Sequence, residues 1–181
     1  MALTPGSLAE KRMGTRIPDQ STGGFPPIVL VVDDHEDTLE MYDVLLSRSG
    51  FRVISASNAL EALASVQVLR PDVVVTDLGL PGRLSGPGLI RALQADPALA
   101  DIPILCVTGR DPRDVRSMIG VQVPSLLKPV TPEALVRHVM AAAVLARQRH
   151  PCAAAARKPL PALPAPSVRE EPRPYVVPAA L

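Results

Sequence analysis

Aromatic residues make up only 2% of this 181-residue chain, and tryptophan is absent. Hydrophobic residues nonetheless reach 47%, so a core must be filled by Val, Leu, Ile and Ala. Cysteine is equally scarce. Cys106 lies in the apolar run ILCV and Cys152 in a Pro/Ala-rich stretch. They read as one buried thiol and one tail thiol in a reducing cytosol, not as a disulfide framework. The three histidines, His35, His138 and His150, offer no pair at metal-ligand spacing, which argues against a zinc module. His35 does adjoin two aspartates, where it has at most a minor influence on access. No apolar run approaches the ~20 residues of a membrane span. The first residues lack the basic, apolar and small regions of a signal peptide. The expectation is a cytoplasmic protein with no membrane partner.

Proline is abundant, at 21 residues, but unevenly placed. Residues 1–27 are rich in Gly and Pro without a sustained period and read as a disordered leader. Residues 147–181 hold eight prolines and carry an excess of four positive charges, and they read as a flexible, partly polyproline tail. This tail has one aromatic, Tyr175, and no stacking pattern, so nucleic acid is not an expected partner. Residues 28–146 carry an excess of four negative charges and the periodic patterning of a folded domain.

Within that domain, strands and helices alternate. IVLVV (28–32) is a short β-branched run, hence a buried strand. Leu39, Tyr42, Leu45 and Leu46 then recur at helical spacing, with Gly50 as a stop. Strands follow at 51–57, 72–77, 102–108 and 124–128. Helices are expected at 59–69, after Gly86 and Gly88, at 111–119 as a short and weak one, and from Thr131-Pro132-Glu133 onward. That last start places a cap, an N1 proline and an early acid in order. Five βα units predict an α/β fold, a five-stranded parallel sheet covered on both faces. In a doubly wound sheet of order 2-1-3-4-5 the ligand site lies off the carboxyl ends of the strands, where the order reverses.

The residues at those ends are chemically selective. Asp33 and Asp34 close the first strand, Asp77 the third, Thr108 the fourth and Lys128 the fifth. Adjacent carboxylates repel, and a cation relieves them. Mg2+ takes one or two carboxylates, waters and phosphate oxygens. A carboxylate beside it can attack phosphorus. A lysine supplies a point charge for a phosphoryl oxygen, and a threonine supplies a hydroxyl donor.

The motifs VVDDHED, VVVTDLGLPG, ILCVTG and LLKPV, in this order, resemble a bacterial two-component response-regulator receiver domain. The resemblance spans residues 28–146 and implies a flavodoxin-like (βα)5 fold. It implies that Asp77 is the phosphoacceptor and that Mg2+ is held by Asp34, Asp77 and the backbone carbonyl of Gly79, with Asp33 acting largely through water. It further implies that Thr108 and Lys128 bind the phosphoryl group and that the Lys128-Pro129 peptide is cis.

Three features depart from the family pattern. Ser125 stands where many receivers have a Tyr or Phe that swings inward on activation. The loop LGLPGRLSGPG after Asp77 is about one residue longer around Gly86 than the commonest form, and residues 111–123 lack a familiar Gly-Ala-acidic signature. The functional expectation is a single-domain response regulator, not an enzyme. It would take phosphate from a sensor histidine kinase or histidine phosphotransfer protein and be read by a downstream protein. A homodimer contact through the fourth helix, fifth strand and fifth helix belongs to the same expectation. The 35 residues after the domain are too few and too proline-rich for a DNA-reading output domain. Two other readings compete. One is a phosphorylation-independent interaction module, for which Ser125 leaves room. The other is an aspartyl-phosphate hydrolase, which wants a second acid two residues after the nucleophile, where this chain has Gly79.

Overall fold

A computed structural model describes residues 25–149. The expected leader over 1–27 and tail over 147–181, with Cys152, His150 and Tyr175, fall almost wholly outside the described residues.

The elements run β1 (Ile28–Val32), α1 (Glu36–Arg48), β2 (Arg52–Ala56), α2 (Ala59–Leu69), β3 (Val73–Thr76), α3 (Gly86–Ala95), β4 (Ile104–Thr108), α4 (Pro112–Ile119), β5 (Ser125–Leu127) and α5 (Pro132–Arg149). The strands form one parallel sheet in the order β2-β1-β3-β4-β5, the expected doubly wound topology.

Alternation along each strand divides the core in two. Leu30, Val32, Val74 and Cys106 face one side and pack with Ala62, Val66, Leu89, Ile90 and Leu93 of α2 and α3. Val29, Val31, Val73, Val75, Leu105 and Val107 face the other and meet Tyr42 and Leu46 of α1 and Leu135 and Val139 of α5. β1, β3 and β4 are buried on both faces, which is why they read as unbroken apolar runs.

Local signals set the helix ends. The Asn58 side chain accepts from the Glu61 N–H at 2.9 Å, while Glu61 accepts from the Ser57 N–H, a reciprocal cap for α2. α2 closes at Arg70 in the left-handed region (φ 44°), directly before Pro71. Asp111 caps α4, and Gly120 ends it at φ 84°, so this helix is short as expected. The Thr131 hydroxyl accepts from the Ala134 N–H at the start of α5.

Candidate functional site

Sheet pairing brings the expected residues to one edge. β1 and β3 pair with Val32 opposite Thr76, so Asp33 and Asp77 leave neighbouring strands at the same level. The Asp77 N–H donates to the Val32 carbonyl at 2.9 Å, and the Asp33 N–H to the Ala56 carbonyl at 3.3 Å. Lys128 follows β5, and its N–H donates to the Thr108 carbonyl at 2.8 Å. The Lys128-Pro129 peptide is cis.

The side chains then converge. Lys128 Nζ lies 2.9 Å from Asp33 Oδ2 and 3.1 Å from Asp77 Oδ2. One ammonium thus bridges two carboxylates from two strands. Burial alone would lower the Lys128 pKa. Hydrogen bonds to Asp33 and Asp77 and the attraction of their charges outweigh it, and the net direction is upward from 10.5. Asp33 is 2% exposed. An ionised carboxylate buried that deeply is costly unless paired, and Lys128 pairs it. Asp77 is held at both oxygens, since Oδ1 accepts from the Leu78 N–H at 2.6 Å and Oδ2 meets Lys128.

Asp34 differs from its neighbour, because its side chain is 28% exposed and has no lysine. Its Oδ1 lies 3.1 Å from His35 Nδ1. That ring nitrogen is also 3.2 Å from Asp33 Oδ1, and the His35 N–H donates to the same oxygen at 3.0 Å. The sequence suggested only a minor influence of His35 on access. The structure makes it a direct neighbour of both acids. The available signal was its place in the chain, directly after the two acids.

Thr108 is buried, and its hydroxyl oxygen accepts from the Arg110 N–H at 3.2 Å, which leaves the hydroxyl hydrogen to donate. Ser125, at the position without an aromatic, is half-buried and pairs with Cys106 across β4 and β5. Gly79 is exposed beside the site, where an added Cβ would meet Asp77 Oδ2 at 3.4 Å. Gly86 is more demanding. A Cβ there would lie 2.4 Å from the Asp77 carbonyl oxygen and 2.6 Å from Leu78 Cα, so only glycine lets α3 start against this loop.

Two further residues were not legible as site residues. The Thr76 hydroxyl donates to the Asp77 carbonyl at 2.9 Å and fixes the backbone at the end of β3. Tyr42 is buried in α1, and its periodicity marked it only as core. Burial raises its hydroxyl pKa above 10.0; the charge of Lys128 opposes this, while Asp33 and Asp77 add to it.

The donor set is suited to a hard cation. Carboxylates of Asp33, Asp34 and Asp77, with the Gly79 backbone carbonyl as a fourth oxygen source, match the preference of Mg2+ for oxygen. The ligand-capable atoms of Asp33, Asp34 and His35 lie within 4.8 Å of one another. Among the described residues no helix is long and apolar enough to cross a membrane.

A doubly wound parallel sheet with acids and a lysine at its switch point defines a class, the flavodoxin-like domains with a polar site at the carboxyl edge. Comparison narrows the class to a family. The model of the response regulator receiver domain matches residues 29–140, and the chain belongs to this family. It is 36% identical over 117 residues to the DNA-binding response regulator MtrA of Mycobacterium tuberculosis, covering 62% of this chain and 49% of MtrA. It is 34% identical over 116 residues to the phosphate regulon transcriptional regulatory protein PhoB of Pseudomonas aeruginosa, covering 62% of this chain and 50% of PhoB. The chain thus matches about half the length of these two curated relatives. Among solved structures, the chemotaxis response regulator CheY4 of Vibrio cholerae superposes with a TM-score of 0.59 at 28% identity, covering 65% of this chain and 98% of that one. A putative response regulator from Chloroflexus aurantiacus gives 0.59 at 30% identity, with 66% and 98% covered.

Proposed function

We propose that Asp77 accepts a phosphoryl group from a sensor histidine kinase or a histidine phosphotransfer protein, and that the altered surface is read by a downstream protein. One observation carries this reading: Lys128 sits on Asp77 Oδ2, within reach of any phosphoryl oxygen bonded there. In the transfer, the phosphorus–nitrogen bond of the donor histidine breaks, and a bond from phosphorus to an Asp77 oxygen forms. The histidine nitrogen is the leaving group. Asp77 is held for attack by the Leu78 N–H on one oxygen, while the other is shared with the Lys128 ammonium.

Asp33, Asp34, Asp77 and the Gly79 carbonyl would hold Mg2+. The ion supplies neutralising charge where the phosphoryl oxygens gather. Lys128 can turn from Asp77 to a phosphoryl oxygen while it stays with Asp33. Thr108 has its hydroxyl hydrogen free for the same group. The new charge must be accommodated by β4, β5 and the loop after β3, which carry these residues. Ser125 brings no ring to swing, so the shift passes through Lys128 and Thr108. Exposed Val121 and Leu127 give the α4–β5–α5 face apolar contacts for a reader or a second copy. On this reading the unit spans residues 28–146, acts as a signalling module rather than an enzyme, and works in the cytoplasm without a nucleic-acid or membrane partner of its own.

The test is intact mass after incubation with acetyl phosphate and Mg2+. A gain of one phosphoryl is expected in the native chain and none in Asp77→Asn or with a chelator. No gain in a folded chain that binds Mg2+ supports the phosphorylation-independent interaction module instead.

A further inference from the structure

We propose that residues 159–164, PLPALP, dock in an apolar groove between α1 and α5 of the same molecule. The proposal stands apart from the phosphoryl reading, because no residue of the acidic edge, of α4 or of β5 lines this groove.

The groove runs along the outer side of two helices that pack on one face of the sheet. Leu45 of α1 and Val136, Met140, Val144 and Leu145 of α5 line it, and its volume is about 950 Å3. Leu135, Val139 and Ala143 of α5 already serve the core, yet Val144 and Leu145 stay exposed on a second side of the helix. An open apolar strip of this size is typical of a surface that takes a ligand or a partner segment.

The lining selects the kind of occupant. Helix main-chain groups bond within their own helix, so the groove offers side chains only. An extended segment laid there would strip its N–H groups of water with no acceptor in return. Three of the six residues in PLPALP are proline, which has no N–H to lose. Their fixed φ also lowers the entropy given up on docking. Polyproline geometry has three residues per turn, so Leu160 and Leu163 would point to the same side, about 9 Å apart. They would supply two apolar anchors for one groove.

The length of the chain permits the contact. α5 ends at Arg149, beside Gln148 of the groove lining, and 32 residues follow in the sequence. From Gln148 back to Pro132, the two extremes of the groove along α5, the helix rises about 24 Å. Leu160 lies 11 positions past Arg149, a span of up to about 34 Å in polyproline geometry. That is enough to turn and run back along the groove. Tethering gives the segment an effective concentration on the order of millimolar, so a weak contact suffices for it where a free partner would need a strong one. Arg157 and Lys158 lead into the segment, against a domain of net negative charge with Glu133 in the groove lining.

The test is a nitroxide spin label on Ser167→Cys in the full chain with Cys152→Ser, Cys106 being buried, read by the intensity of amide signals. Loss of intensity is expected at the α1 and α5 residues that line the groove. The loss should disappear when Leu160→Asp and Leu163→Asp are added. It should also disappear in Val144→Asp, which alters an exposed position and should keep the circular dichroism of the native chain. Spin-labelled chain mixed with label-free nitrogen-15 chain should cause no loss. A loss in that mixture gives the groove to a second copy and overturns the proposal. No loss in the labelled chain, or a loss that survives Leu160→Asp with Leu163→Asp, overturns it as well.

Discussion

Two buried aspartates, Asp33 and Asp72, sit at opposite edges of the same sheet, at 2% and 6% exposure. Asp72 Oδ2 accepts the Ile28 N–H at 2.7 Å, and the Asp72 N–H donates to the Ile28 carbonyl at 2.7 Å. That carboxylate locks β1 against β3 through a main-chain donor that cannot move away. Asp33 instead meets the ammonium of Lys128, at the end of a flexible side chain shared with Asp77. Residue type and burial are nearly the same. Asp72 fixes a main-chain N–H at the start of β1, whereas Asp33 is held by an ammonium that also reaches Asp77 and so can be redistributed between two acids.

Substitution at the two edges should separate the two roles. Asp77→Asn is expected to abolish phosphoryl gain from acetyl phosphate while the fold is retained by circular dichroism. Asp72→Ala should leave phosphorylation intact yet lower stability in urea denaturation by about 2 kcal/mol, the cost of losing a hydrogen bond to a charged group and orphaning a buried N–H. If Asp72→Ala abolished phosphorylation in a folded chain, the division between the edges would be lost.

Gly86→Ala links a packing defect to the reactive edge. The new Cβ would press on the Asp77 carbonyl and on Leu78, with backbone rather than flexible side chain in the way. A loss of about 2 kcal/mol in stability is expected, with slower phosphorylation as Asp77 is displaced. Equal phosphorylation rates in the variant and the native chain would show that the loop absorbs the strain elsewhere.

Alkaline titration probes the site from beneath. Burial, reinforced by the charge of Asp77, pushes the Cys106 thiol up from 9.0 to about 12. Tyr42 is raised from 10.0 and Lys128 from 10.5. In each case the unfolded chain releases its proton at a lower pH than the folded one. Stability from these groups is complete below pH 9 and falls as pH rises from 9.0 toward 12. In Cys106→Ala, urea midpoints measured across this window should begin their decline nearer pH 10, where Tyr42 and Lys128 take over. A decline unchanged in onset would remove Cys106 as a cause. The smallest effect belongs to Asp34→Asn. It relieves like-charge repulsion beside Asp33 at a partly exposed position and should raise stability in metal-free buffer by about 0.5 kcal/mol, read from the same urea curves.

Much of this was legible in the chain, for reasons particular residues make plain. The β-branched runs 28–32 and 73–76 alternate with helical periodicity, so the parallel sheet and its order followed, and so did the edge where Asp33, Asp77, Thr108 and Lys128 meet. Strand ends were read slightly long, as at 51–57 against Arg52–Ala56, because pairing stops before the apolar pattern does. The contacts among site residues were not legible. Composition does not say that Lys128 rests between Asp33 and Asp77, 95 and 51 positions away. Nor does it say that consecutive Asp33 and Asp34 lie in different environments. His35 was discounted because histidine pairs were sought, whereas its partners are the two acids just before it. Asp72 read as the first residue of a strand, and only the register of β1 on β3 reveals its role.

The decisive measurement is to locate the phosphoryl group. Chain phosphorylated with acetyl phosphate and Mg2+ is reduced with borohydride, which converts a phosphorylated aspartate to homoserine, and the peptides are mapped by mass. Homoserine at position 77 alone is the expected result. Homoserine at position 33, 34 or 72, or no homoserine at position 77 in a chain that has gained a phosphoryl, would contradict Asp77 as the acceptor.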